Sequence, residues 1–276
     1  MMLSRVVKLA VWLGMLLLLL VAVFPFYWMV NTSFKPMSEV FKSPPAFYPS
    51  QLSVAGYLNI WATRLMGRFF LNSTIISVGS TLLAMALSAL AAYGFSRFRL
   101  RWEQPLILIL LLTQMLPGTL LIIPYFQLMA KLRLINSYVS LILAYVSFGL
   151  PFSTWMLVGF FRSIPLELDE AAMVDGCTRV GAFWRVILPL SVPGLVAVAI
   201  FTFLLAWNAY VFALVLTTDP KMFPLSVGIA NMLGEYQGAW NEMMAGAVLA
   251  TLPVFIHYGF LERYLVQGIT AGAIKG

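Results

Sequence analysis

Apolar residues in this chain come in long runs separated by shorter polar stretches. Six runs, at 9–30, 69–96, 105–130, 137–161, 190–216 and 243–261, are long enough to cross a bilayer. A helix needs about 20 apolar residues to traverse roughly 30 Å of hydrocarbon. The first run passes through Phe24-Pro25-Phe26-Tyr27-Trp28 without a small-residue cleavage site, so it reads as an uncleaved span with an aromatic, interfacial end. The second is rich in small residues, among them Ser73, Ser77, Gly79, Ser80, Ala84 and Ala92. Small residues let helix backbones approach closely in lipid, which predicts a central position for this helix. Pro117 and Pro124 in the third run, Pro151 in the fourth and Pro253 in the sixth predict kinks. The expected fold is an all-α polytopic membrane protein with six transmembrane helices, forming one domain over 1–276.

The polar stretches carry their own signals. Between 31 and 68, Pro36, Pro44, Pro45 and Pro49 argue against a long helix in the first half, and Tyr57 to Arg68 reads as a short amphipathic helix. Residues 217–240 read as a polar link containing Asp219, Pro220 and Pro224. The most structured stretch is 162–189. Pro165 suits a first helical position, and Glu167, Asp169 and Glu170 fall in the first turns, where negative charge favours the helix dipole. Ala171 and Ala172 supply a small face, and Gly176 can take the left-handed conformation that ends a helix. Thr178 can cap the next helix, in which Val180, Phe183, Trp184 and Ile187 share one apolar face. The expectation is a helix-turn-helix with an acidic tip, held between two spans as a docking knob for another protein.

Composition sharpens this picture. Of 276 residues, 62% are hydrophobic and only 10% charged, which overrides the two soluble domains that length alone would suggest. The net charge of +7 does not indicate nucleic acid, because Lys and Arg sit at the ends of apolar runs. Ten basic residues fall on the side of the N-terminus and seven on the other. Arg5, Lys8 and the cluster Arg97, Arg99 and Arg101 favour a cytoplasmic N-terminus, while Lys131 and Arg133 count against it. The single cysteine, Cys177, forms no internal disulfide and reads as a small turn filler.

The chemistry that is absent also narrows the function. No Asp, Glu, Lys or Arg lies inside the six apolar cores, which argues against an ion-coupled carrier. No G-x-x-x-x-G-K-[ST] phosphate loop occurs, so a transporter of this kind needs energy from another chain. Trp207 and Asn208 lie inside the fifth span with Tyr210 beyond them. A buried Asn must hydrogen-bond, either to a neighbouring helix or to something passing through. Gln114, Gln127 and Asn231 are weaker residues for a polar path, and His257 reads as a packed or interfacial histidine.

The run Glu170-Ala171-Ala172, three residues, Gly176, nine residues, then Val186-Ile187-Leu188-Pro189 resembles the EAA loop of the membrane subunits of bacterial ABC importers. It departs from that family's pattern only in carrying Val186 where Ile is usual. Phe34-Lys35-Pro36 with Pro44-Pro45, and the closing stretch from Leu265 to Lys275-Gly276, are similar to the first external loop and the tail of the carbohydrate-class permeases, the smaller maltose-type permease among them. The resemblance implies that Glu170, Ala171, Ala172, Asp175 and Gly176 dock a separate ATPase, and the family often carries the Trp207-Asn208 pair. It implies a pair of ATPase subunits, a second permease and an extracytoplasmic solute-binding protein as partners, with ATP and magnesium on the ATPase and no cofactor here. It also implies a bacterial or archaeal inner membrane and cytoplasmic termini. By the same resemblance the tail can reach the ATPase; otherwise it is a frayed terminus. A secondary transporter and a membrane scaffold remain the alternatives.

Overall fold

The computed structural model describes residues 5–98, 101–235 and 239–273. Arg99 and the closing Lys275-Gly276 therefore lie outside the described residues. The chain divides into two compact units, Met1–Gly67 with Gly228–Leu252, and Arg68–Val227 with Pro253–Gly276.

In the first unit, α1 (Arg5–Ser33) contains the first expected span, and its apolar side chains from Leu9 to Phe24 are exposed, as a lipid-facing helix requires. The helix ends in a buried polar knot. Lys35 is buried, lies over the Trp28 ring at 4.7 Å and donates to the Ala46 carbonyl at 2.5 Å. The short α2 (Met37–Val40) brings Glu39 to accept from the Ser50 backbone N–H at 3.0 Å. These bonds order the proline-rich stretch without a long helix. Residues from Met66 onward already belong to the next long helix, so the amphipathic helix expected over 57–68 is earlier and shorter, α3 (Ala55–Ala62). It is pinned to the start of α14 (Trp240–Ala273), where Arg64 pairs with Glu242 at 3.2 Å and Asn59 donates to the same carboxylate.

In the second unit, α4 (Met66–Arg97), α7 (Tyr138–Ser163) and α11 (Val192–Trp207) pack together. Two apolar cores form along them. One joins Ile76, Leu141, Tyr145 and Ala206, and the other joins Ala89, Ala92, Leu157, Phe161 and Val198. Close approach depends on small residues: a Cβ built on Gly194 would lie 2.6 Å from the Phe160 ring. The small residues Ser73, Ser77, Ser80, Ala84, Ala89 and Ala92 of α4 are buried, while its Val78, Leu82, Leu87 and Leu90 are exposed, so α4 packs on one side. The helix that touches α5 (Glu103–Leu112), α11 and α12 (Val211–Leu216) is α7.

Two expected spans are not single helices. The third, 105–130, is α5 (Glu103–Leu112) with a 3-10 turn, then a second 3-10 turn leading into α6 (Ile122–Lys131). The two halves are bent by 87°. The cause is local. A residue before proline avoids the helical region, and Leu116 and Pro117 are both extended, with ψ of 122° and 123°. The fifth expected span, 190–216, breaks at 208–210 between α11 and α12 (Val211–Leu216). The break leaves helix carbonyls to satisfy. Asn208 donates from its side chain to the Leu204 carbonyl at 3.0 Å, and Ser226 donates to the Ala209 carbonyl at 2.7 Å.

The expected polar link also needs correcting. It contains α13 (Leu225–Glu235), whose Leu225, Val227 and Met232 are buried. The loop before it is fixed by the fully buried Asn72, which donates to the Lys221 and Phe223 carbonyls, both at 2.9 Å, and accepts from Tyr138 at 2.7 Å. Among the described residues, three helices are long and apolar enough to cross a membrane, and up to five if each bent pair counts as one span. The sixth expected run, 243–261, lies within α14.

Candidate functional site

The stretch from 162 to 189 folds as two short helices joined at a glycine. Acidic Glu167, Asp169 and Glu170 occupy the first turn of α8 (Glu167–Val174), where the unpaired N–H groups favour negative charge. The helix starts two residues after Pro165, so the proline precedes the first turn instead of opening it. At the other end, the Gly176 N–H reaches the Met173 carbonyl at 3.1 Å and the Cys177 N–H reaches the Ala172 carbonyl at 2.9 Å. This double closure is the Schellman arrangement, and it requires the left-handed backbone that Gly176 adopts at φ +87°. Thr178 then caps α9 (Arg179–Ala182) by accepting from the Gly181 N–H at 3.1 Å.

Past α9 the chain makes a π-helical turn over Phe183–Ile187 and a last turn, α10 (Leu188–Leu190). It then bends by 77° at Ser191 into α11. The wide turn divides the single apolar face expected of Val180, Phe183, Trp184 and Ile187. Phe183 and Ile187 are buried, whereas Val180 and Trp184 are exposed. A π turn carries more residues than 3.6, so the i, i+3, i+4, i+7 spacing does not hold across it.

Two faces result. Outward stand Glu170, Ala171, Asp175 and Gly176, together with Val174, which is 87% exposed. Inward stand Asp169 and Ala172. The two alanines thus face differently: Ala172 packs inside the chain and Ala171 is presented. An exposed acidic and apolar tip on a structured base suits contact with another protein.

The base is held by a polar cluster that the residue pattern did not reveal. Arg97, in the last turn of α4, donates Nη1 to the Phe161 carbonyl at 2.9 Å and Nη2 to the Ile164 carbonyl at 3.1 Å. Its Nε lies 2.7 Å from Asp169 Oδ2, off the hydrogen-bond line, so this contact is an ion pair more than an aligned bond. The Tyr93 hydroxyl lies 3.1 Å from Asp169 Oδ1 and 3.2 Å from the Arg179 carbonyl. Its ring packs on Phe183 at 4.9 Å. In the sequence, Arg97 looked like one of three capping charges and Asp169 like one of three dipole acids. The available signal was position: Asp169 and Ala172 are three apart, hence on one helical face.

The residues expected along a polar path each have identifiable surroundings. Trp207 is buried, stacked on Phe203 at 5.4 Å and edge-on to Phe70 at 5.5 Å. Asn208 bonds its own helix, an outcome outside the two readings left open by the sequence. Tyr210 is partly exposed, and Gln114 donates to the Phe148 carbonyl at 2.8 Å. His257 stacks on Phe203 at 4.0 Å, as a packed histidine. A groove of about 630 Å³ runs between α5 and α7, lined by Leu108, Leu111, Trp155 and Phe160, and none of Gln114, Gln127, Trp207, Asn208, Tyr210 and Asn231 borders it.

With this geometry in hand, likeness to known proteins is informative. Residues 84–271 match the family model described as the inner membrane component of binding-protein-dependent transport systems. The chain is 35% identical over 260 residues to the sulfoquinovosyl glycerol transport system permease protein of Agrobacterium fabrum, covering 94% of this chain and 91% of that one. It is 36% identical over 267 residues to the trehalose/maltose transport system permease protein of Thermococcus litoralis, covering 96% and 95%. Its fold matches a chain of a solved bacterial ABC transporter involved in import of the acidic polysaccharide alginate. That match has a TM-score of 0.82 and 21% identity, and covers 96% of this chain and 99% of that one.

Proposed function

Because the chain belongs to the family of inner membrane components of binding-protein-dependent transport systems, we propose that it is the permease subunit of an ATP-driven importer that carries a sugar or related carbohydrate into the cytoplasm. The two relatives named above transport a sulfoquinovosyl glycerol and trehalose or maltose, which supports the carbohydrate class. The proposed assembly places two ATPase subunits, a second permease and a solute-binding protein around this chain, with ATP and magnesium on the ATPase. Six crossings leave both termini and the 162–189 segment in the cytoplasm. In that arrangement Glu170, Ala171, Asp175 and Gly176 face the ATPase, and Ala172 supports them from within.

The observation that carries this reading is the exposed tip of α8, presented on a base fixed by buried contacts. A loose amphipathic loop would give neither. Rigid-body motion passed through a docked helix is an established way to switch between two states.

The test is reconstitution of the complete complex in vesicles. ATP-dependent uptake of at least one sugar is expected, and this chain purified alone should hydrolyse no ATP. Uptake that collapses with an ionophore yet survives ATP depletion would instead mark an ion-coupled carrier. An intact complex that imports no sugar from a broad panel would mark a scaffold.

A further inference from the structure

We propose that Tyr93, Arg97 and Asp169 form a clamp that makes the 162–189 segment move as one body with the ends of α4 and α7. This rests on the coupling role proposed above and names the residues that pass the motion on.

Four elements meet at three side chains. Arg97 belongs to α4, and two of its nitrogens hold the carbonyls of Phe161 and Ile164, at the end of α7. The Phe161 carbonyl also accepts the Ile164 N–H at 3.2 Å, so Arg97 adds a second donor there and a donor to the Ile164 carbonyl, where α7 ends. The third nitrogen pairs with Asp169 in the first turn of α8. Tyr93, one turn before Arg97, adds the link to α9 through the Arg179 carbonyl. One hydroxyl proton serves two acceptors here, Asp169 Oδ1 and that carbonyl, so the bond is shared between α8 and α9. Arg179 also lies over the Phe98 ring at 5.3 Å, next to the Tyr93 ring.

Burial makes the joint stiff. The side chains of Arg97 and Asp169 are 4% and 9% exposed, so neither can exchange its partner for water without moving the backbone. A push on the tip of α8 therefore has no slack to take up before α4 and α7 shift. A segment tethered only by its chain ends at 162 and 189 would lose that push in local bending.

The experiment uses the complete complex, in vesicles, and reads solute taken up per ATP hydrolysed beside the amount of ATPase retained. Tyr93→Phe keeps the ring and removes the shared proton. Asp169→Asn keeps the shape and removes the charge. Tyr93→Phe should lower uptake per ATP by about two- to tenfold, the range expected for losing one hydrogen bond, and Asp169→Asn, which leaves the buried guanidinium without its counter-charge, should lower it at least as far. The double variant should fall no further than the worse single one, because both act on one network. Arg101→Gln, an exposed position between α4 and α5, is the comparison. A wild-type ratio in both variants, with ATPase still bound, would overturn the clamp. So would losses of ATPase and uptake in equal proportion, which is what a merely structural role gives. If the wild-type complex itself bound no ATPase, the coupling reading would fall first and the clamp with it.

Discussion

Gly176 offers the sharpest quantitative test of the coupling role proposed for the 162–189 segment. Its φ of +87° closes α8, and an ideal Cβ placed there would meet no atom within 4 Å. Space is therefore free, and the whole intrinsic cost of a side chain is backbone strain. For a residue with a Cβ in the left-handed region that cost is about 1–2 kcal/mol. This corresponds to roughly a five- to thirtyfold loss of the native turn relative to competing turns. Gly176→Ala should show this loss as reduced ATPase co-purification and reduced uptake. Gly176→Asn should lose less, since Asn tolerates the left-handed region. Gly176→Leu has the same backbone cost as alanine, so any excess loss measures the surface into which the tip fits. The assay is uptake and ATPase retention for all three variants in the reconstituted complex. If asparagine proved worse than alanine, the strain argument would be refuted. If leucine equalled alanine, Gly176 would close a turn without facing a partner.

Four further outcomes are expected. Glu170→Lys replaces an exposed acid at a helix start with a base, which costs about 0.3–1 kcal/mol of dipole attraction; ATPase binding should weaken while expression persists, as membrane fractionation would show. Asp169→Ala leaves the buried Arg97 guanidinium without its counter-charge at a cost of about 3–5 kcal/mol, so the yield of folded protein in detergent should fall sharply. Gly194→Ala forces a Cβ into the Phe160 ring and should destabilise by about 1–3 kcal/mol in thermal unfolding, whereas Gly14→Ala, with nothing within 4 Å, should not destabilise. With Cys177 replaced by Ser, cysteines at positions 42 and 219 should be labelled from outside the cell and one at 179 should not; labelling at 179 would invert the proposed topology.

The apolar runs were legible because hydrocarbon imposes a length and a composition together. Position 116 shows where that legibility stops. The proline after Leu116 announced a kink, yet 105–130 still read as one span, because composition does not encode an angle. What produced an 87° bend was that Leu116 and Pro117 are extended in succession. The same limit explains 217–240. Its prolines and Asp219 read as a link, while the buried face of α13 is set by partners such as Ser73, which accepts the Leu225 N–H at 2.8 Å. That partner is about 150 residues away, and no local pattern reports it.

The 162–189 segment divides along the same line. Its helix ends were written in local chemistry: Gly176 must take positive φ, and Thr178 must cap, whatever surrounds them. Its orientation was not. Which of Glu167, Asp169 and Glu170 turns inward depends on where Arg97 stands, and that is fixed by the packing of α4 against α7 through Ala89, Ala92 and Leu157. Burying one acid of three commits the others. With Asp169 held inward, the helical spacing sends Glu170 and Val174 outward and brings Ala172 in beneath them. The exposed tip of α8 is therefore aimed by a residue that never touches it, and a change at Arg97 should be felt at Glu170 even though the two side chains share no contact.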